Sequence, residues 1–314
     1  MNKNTEKCNK CIKTSIGGQA VLEGIMMRGP EKTALSVRLP DGTIQTEVTV
    51  NKNTKKWYKK TPFIRGVFNF FDSMSDGYKY LMRSAELSGE LEEEETAFEK
   101  KMKAKLGDRY NSVFEGTIMV ISMCLAIGLF MFLPTFLVKL LQNYVTKTLT
   151  LTVIESFVKL GIFFSYLLVV SQMEDIKRTF MYHGAEHKCI FCYEHGEDLT
   201  VENVKKYTRF HPRCGTSFLV ITLLLSIFVF SFVSWSNVFG RVFIKLLCLP
   251  ITMSLAYECI KFAGRHDNWF TKILSAPGLW SQRLTTKEPT DEMIEVAIAA
   301  IREVIPENSS DALY

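Results

Sequence analysis

A mainly α membrane protein is the fold class that the sequence predicts, and three observations predict it. Hydrophobic residues fill 47% of the 314 positions and are gathered into blocks, which a soluble core would not require. Four blocks, Val113 to Leu141, Leu149 to Met173, Phe218 to Trp235 and Val242 to Ala263, each cover the ~20 residues that a helix needs to cross ~30 Å of hydrocarbon. Polar segments rich in Lys and Glu lie before and between them. The chain therefore divides into a cytosolic N-terminal α+β region (1–112), two transmembrane helices (113–173), a cytosolic insert (174–217), two further transmembrane helices (218–263) and a cytosolic C-terminal segment (264–314). A long Lys- and Glu-rich region precedes the first block, so that block reads as a true span and not as a cleaved leader.

Orientation follows from Lys and Arg, which accumulate on the cytoplasmic side of spans. They crowd the region before the first block (Lys100, Lys101, Lys103, Lys105, Arg109) and the central insert (Lys177, Arg178, Lys188, Lys205, Lys206, Arg209, Arg213). The other two loops offer only Lys147 and Arg241. A multi-pass protein of the cell membrane with both termini and the insert in the cytoplasm is the expectation. This topology accounts for the net charge of +5, and no basic patch interleaved with aromatics calls for nucleic acid. The partner that the composition demands is the lipid bilayer. Cysteines on the cytoplasmic side stay reduced, so they read as metal ligands or inert core groups rather than disulfides.

Taken in order, Cys8 and Cys11 form a lone C-x-x-C in a Lys- and Asn-rich leader. One such pair falls short of the four ligands of a closed zinc site. Ile16 to Pro30 (IGGQAVLEGIMMRGP) reads either as a glycine-punctuated strand and turn with a structural ion pair, or as a loop that lends Glu23 or Arg28 to a nearby site. Ala34 to Val50 alternates apolar and polar residues around Pro40-Asp41-Gly42, the pattern of a β-hairpin. Phe63 to Met82 places Ile64, Val67, Phe68, Phe71, Met74, Tyr78 and Leu81 on one helical face, suited to the membrane interface or to packing on the spans. An acidic run at Glu92 to Glu95 then turns basic and reads as a solvated helix or linker. Glu155 and Lys159 are spaced as a helical ion pair near the outer end of the second span. That span should continue as a helix into the insert.

The insert carries the chemistry. Tyr182 to Ser217 holds four of the five histidines and three of the eight cysteines. His183 and His187 are four apart, so their imidazoles share a helix face, and Glu186 lies three from His183 on the same side. This H-x-x-E-H order places two His as zinc ligands and the Glu as base. Two metal readings compete. In one, Cys189, Cys192, His211 and Cys214 close a structural zinc. In the other, His183 and His187 are ligands, His211 or Cys214 supplies a third, and one position stays open for water. A third reading leaves the histidines hydrogen-bonded at a polar membrane boundary without metal.

GGQAVLEGIMMRGP, HGAEHKCIFCYEHGE, HPRCGTSF, AYECIKFAGR and APGLWSQRLTTKEP, in this order over nearly the whole chain, resemble the YqhQ family of bacterial membrane proteins. That family is defined by an uncharacterised domain and described as a predicted metal-dependent enzyme. The resemblance implies a multi-pass membrane protein of metal-dependent but unassigned activity. It carries Gln19, Glu23, Met27 and Arg28 onto the first motif, and His183, Glu186, His187 and Lys188 onto the second. Glu194, His211, Arg213, Cys214 and Thr216 match as well. Cys189 and Cys192 depart from the family pattern, which favours the site on His183 and His187. Glu258 matches a Tyr-Glu motif and is either a late carboxylate ligand or the partner of Arg213 or Lys261. Gln282, Arg283, Thr285 and Thr286 follow the family's last motif. Ala276-Pro277-Gly278 should break any helix before Leu279-Trp280. Thr290 should cap a closing helix that buries Met293, Ile294, Ala297, Ile298, Ile301 and Val304 and ends before Pro306.

The expected function is a membrane hydrolase that uses a divalent metal, zinc by its ligands, to cleave a peptide or lipid-linked bond at the cytoplasmic face. The rival is a scaffold or membrane-biogenesis factor with a structural metal or none. A transporter is disfavoured by the few buried charges expected in the spans. The sequence is silent on homo-oligomers.

Overall fold

The structure is a computed structural model and describes residues 12–51, 57, 61–89, 107, 110–145, 147–233, 237–266 and 268–306. Cys8, Cys11, the runs from Glu92 to Lys105, Arg109 and Trp235 lie outside the described residues. The chain forms two compact units, Met1–Leu91 with Leu168–Thr222 and Met253–Tyr314, and Glu92–Leu167 with Leu223–Thr252.

The first unit contains a four-stranded antiparallel meander, β1 (Gly17–Val21), β2 (Gly24–Arg28), β3 (Lys32–Arg38) and β4 (Ile44–Val50), paired in that order. The expected hairpin is β3–β4, closed by a turn in which Gly42 takes a φ of +86°, a conformation that favours glycine. The glycine-rich run before it supplies two further strands. Glu23 and Arg28 do not pair with each other: Glu23 is held bidentately by Arg178 at 2.6 Å, and Arg28 reaches Asp76 at 3.1 Å.

Each face of the sheet is covered. Val21, Met26, Leu35 and Val37 pack towards α1 (Ile64–Ser88). Ile25, Met27 and Ala34 join the main core with α5 (Glu174–Glu194) and α10 (Asp291–Val304). Helix α10 begins at Thr290, whose hydroxyl accepts from the Met293 amide, and its predicted apolar stripe is buried throughout. Helix α1 reverses the expectation of packing by its large apolar face. Gly66, Gly77, Ser84 and Ala85 are buried, while Phe68, Phe71, Met74 and Tyr78 are exposed, Phe71 by 61%. Small residues allow close approach: a side chain at Gly66 would strike Tyr257 and Ser254.

Two helix boundaries also differ from expectation. The second apolar helix, α4 (Thr148–Val170), stops short of the insert, and Met173 is extended before α5 starts. Glu174 and Asp175 in the first turn of α5 suit the positive end of a new helix dipole. Conversely α9 (Trp269–Thr285) runs through Pro277, started by a capping box between Asn268 and Thr271. Its Gly278 sits so close to Ser217 that no side chain would fit.

Among the described residues, three helices are long and apolar enough to cross a membrane: Gly116–Lys139, Thr148–Val170 and Val238–Ala263. The third expected span appears as α7 (Gly215–Ser231), whose 17 residues are fewer. At ~1.5 Å per residue it extends ~25 Å, short of the ~30 Å of hydrocarbon. The first of the three comprises α2 (Tyr110–Ile127), a π-helical turn at Gly128–Phe132 and α3 (Leu133–Lys139), and the last opens α8 (Val238–Arg265).

The second unit holds a cluster of charge that the sequence reading did not anticipate. Glu155 does not pair with Lys159; it receives Arg241 at 3.0 Å, Lys245, and the Thr135 hydroxyl at 2.5 Å. Arg241 is not a loop residue but a fully buried one in α8 that also donates to Thr152 at 3.1 Å. Lys159 instead meets Ser226 at 3.5 Å and lies 4.8 Å from the Phe230 ring. Four ionisable side chains, Glu155, Lys159, Arg241 and Lys245, are thus buried among the apolar helices, against the expectation of few. Removing Glu155 takes away the carboxylate that the buried Arg241 and Lys245 share. Glu155→Ala should lower the unfolding free energy by ~3–5 kcal/mol, read from denaturant titration in detergent micelles. An unchanged midpoint would refute this account of the cluster.

Candidate metal centre

Helix α5 displays His183, Glu186 and His187 along one face, with the two imidazole centroids 4.4 Å apart. Cys214, which immediately precedes α7, completes a group whose donor atoms all lie within 4.8 Å of one another: His183, His187 and Cys214. The His183 Nε2 atom is 3.1 Å from the Cys214 sulfur. The far ring nitrogens face backbone carbonyls, His183 Nδ1 at 2.9 Å from Thr285 O and His187 Nδ1 at 2.5 Å from Arg209 O. With N–H at both Nδ1 positions, both Nε2 lone pairs point inward, as carbonyl partners set the ring of a metal-binding histidine. Gly184 makes the first of these contacts possible, because any side chain there would collide with Lys287 O.

Glu186 is 4% exposed, and its Oε2 has no hydrogen-bond partner among the described residues. Its carboxyl is pushed up by burial, opposed by His187, His183 and the Gly18 amide. Burial also opposes the charge on His183, but the Cys214 thiolate outweighs it and raises the imidazole to about 9. Cys214 shows the reciprocal balance. Burial raises the thiol, and the two histidines bring it well below the usual range. Thr216 adds its amide at 3.4 Å and its hydroxyl at 3.1 Å to the sulfur. Two imidazoles, a thiolate and a nearby carboxylate with an unmet acceptor are a donor set that fits a tetrahedral zinc with an open position. A cavity of about 220 Å³ opens onto it, lined by Gly18, His183, Glu186, His187 and Cys214 among others.

His211 is brought near but turned away. Its Nδ1 accepts from the Arg213 amide at 3.3 Å, and its Nε2 lies 3.9 Å from Glu194. Glu194 also accepts from the Thr14 amide and hydroxyl at 2.8 and 3.0 Å and pairs with Arg213, whose other nitrogen reaches Thr14 O at 2.5 Å. Cys189 and Cys192 are fully buried in the apolar core, and Cys192 faces the carbonyls of Glu197 and Asp198. The four-ligand arrangement of Cys189, Cys192, His211 and Cys214 is therefore not assembled.

The remaining predicted residues have separate partners. Lys188 pairs with Glu288, and Gln19 packs against Gly77. Glu258 is gripped by Arg65 at 2.8 and 2.5 Å and by the Phe63 amide at 3.2 Å, with the charge of Lys261, one of its two expected partners, also acting on it, while Arg213 pairs with Glu194. Residues that the sequence did not single out for this site include Gln282, which holds the His211 backbone by two 2.7 Å hydrogen bonds. Thr285 and Arg209 act through their carbonyls, which no side-chain motif reports.

The family model described as "Protein of unknown function (DUF1385)" matches residues 61–307. The chain is similar to the "Uncharacterized protein YqhQ" of Bacillus subtilis (strain 168), with 35% identity over 298 residues that cover 94% of this chain and 93% of the relative. No solved structure matches it.

The buried pair of His211 and Glu194 sets a pH dependence. Burial, outweighing Glu194, depresses His211 to about 4. For Glu194 burial acts upward, and His211 with Arg213 prevails to hold it at about 2. Both folded values lie below the ordinary ones, so the unfolded chain binds protons first and stability falls on acidification. The His211 contribution is complete above about pH 6.5 and is lost towards about 4; that of Glu194 is lost from about 4.5 towards 2. Thermal melts of His211→Gln should lack the upper part of this slope. Parallel pH profiles for the variant and the parent would refute it.

Proposed function

The chain belongs to the DUF1385 family and to the family of YqhQ, and on that premise we propose a metal-dependent membrane hydrolase that cleaves a peptide or lipid-linked bond at the cytoplasmic face. The observation that carries the reading is the convergence of His183 Nε2, His187 and Cys214 Sγ beside a buried carboxylate with an unmet acceptor. His183, His187 and Cys214 would hold the metal. Zinc there supplies Lewis acidity and lowers the pKa of a water towards ~7.

The chain's own residues do the rest. The carbonyls of Thr285 and Arg209 fix the ring orientation of the two histidines. Glu186 takes a proton from the attacking water and returns it to the leaving group, a role favoured by a carboxyl raised by burial. Glu194, Arg213 and Gln282 position the segment from His211 to Cys214. In the same proposal α7 serves as a fourth span, the protein sits in the cell membrane with both termini and the insert cytoplasmic, and the exposed apolar face of α1 lies in the bilayer interface. The contacts of α1 with Ser254, Tyr257 and Glu258, at the end of a helix long enough to span, support that last placement.

Purified protein should bind about one metal per chain, and His183→Ala with His187→Ala should release it. Glu186→Gln should keep the metal and lower turnover at least ~100-fold. Full function in the Glu186→Gln protein would leave a scaffold with a structural metal, and metal-free protein near neutral pH would remove the site altogether.

A further inference from the structure

The first strand of the sheet separates two cavities. β1 is a terminal strand of the meander, and its residues alternate between faces. Gly18 pairs with Met27 and faces Glu186, whose carboxyl carbon would be 3.2 Å from a side chain placed at this glycine. Gln19 pairs with Met26 and faces Gly77 of α1 on the opposite side. The cavity of about 220 Å³ on the α5 side holds the His183, His187 and Cys214 cluster. A second cavity, of about 260 Å³, lies on the α1 side against Gln19, Met26, Arg28, Ser73 and Asp76. Both are walled by Ser15, Gly17 and Gly18, and Ser15 and Gly18 are exposed.

We propose that β1 binds an extended polypeptide along its edge, sending alternate side chains into the two cavities and laying the intervening backbone over the His183, His187, Cys214 and Glu186 cluster. The inference rests on the hydrolase reading and narrows its substrate to the amide bond of a peptide. Three features select this occupant. An added strand runs ~4.8 Å from its neighbour and turns successive side chains to opposite faces, which matches two cavities on opposite faces of one strand. A lipid chain has no such period. Gly17 and Gly18 keep the wall free of side chains, and a side chain added at Gly17 would meet nothing within 4 Å. Arg28 and Asp76, paired at 3.1 Å and both partly exposed, give the second cavity a polar wall. Hydrolysis at this place breaks one C–N bond: water's oxygen goes to the carbonyl carbon, and its proton passes through Glu186 to the amine.

The test is affinity selection from a random decapeptide pool by full-length, metal-loaded Glu186→Gln protein in phosphatidylglycerol nanodiscs. Retained peptides are then sequenced. The same is done with Gly17→Phe introduced, a change that the open space and ordinary backbone at Gly17 accommodate and that fills the shared wall. Retention of peptides, falling at least tenfold with Gly17→Phe or shifting to small residues at one position, supports the proposal. No retention by the parent, or identical retention and selection by both proteins, overturns it. Retention of peptides that the wild-type chain fails to cleave keeps this site and rejects the hydrolase reading. Cleavage of a lipid-linked probe with no peptide retained does the reverse.

Discussion

Two backbone carbonyls, Thr285 O and Arg209 O, fix the ring orientation of the two histidines on α5, and the arrangement of the candidate centre depends on them. A histidine pair four apart on a helix is common chemistry. What makes this pair a convergent donor set is that each Nδ1 is occupied from outside, so that both Nε2 atoms face Cys214. The carbonyl of Thr285 reaches α5 because Gly184 leaves room for the strand of chain at Lys287, whose amide also donates to Phe180 O at 2.8 Å. The segment carrying Cys214 is held in turn by Gln282 and by the Glu194, Arg213 and Thr14 network.

The second unit poses an opposite problem. Arg241 and Lys245 share one carboxylate, Lys245 also donates to Thr135, and Arg241 to Thr152 and the Val233 carbonyl. In a low dielectric such a group is tolerated only when nearly every donor is matched. The π-helical turn at Gly128–Phe132 and Pro134 directly precede Thr135 in the chain, and π turns inside α-helices are frequent at functional sites.

Much of this was legible in the residues. The hairpin at Ala34 to Val50, the stripe of α10 with its Thr290 cap, and the shared face of His183, Glu186 and His187 follow from periods of two and 3.6 and from capping chemistry. Helix existence was readable where periodicity was long. Boundaries were not: the break before α5 at Met173 and the continuity of α9 through Pro277 are decided by packing and dipoles, which a local pattern omits. The apolar face of α1 follows from its period, yet burial goes to its small residues because close contact with Tyr257 of α8 needs Gly66 and close contact with Gln19 of β1 needs Gly77. Long-range pairings were the least legible. Glu258 with Arg65, Glu155 with Arg241, and Glu23 with Arg178 join positions 193, 86 and 155 apart, and charge alone does not choose among the many Lys and Arg available.

The lock on His183 has a consequence for how the protein is made. Thr285 and Gln282 follow α7 and the three helices long and apolar enough to span, and so leave the ribosome after them. While those helices are emerging, His183 lacks its carbonyl partner and the His211 backbone lacks its clamp. The histidine face of α5 therefore acquires its fixed geometry late, once the long apolar helices have been made, and a nascent chain stalled before α9 carries the histidines without the arrangement that orients them.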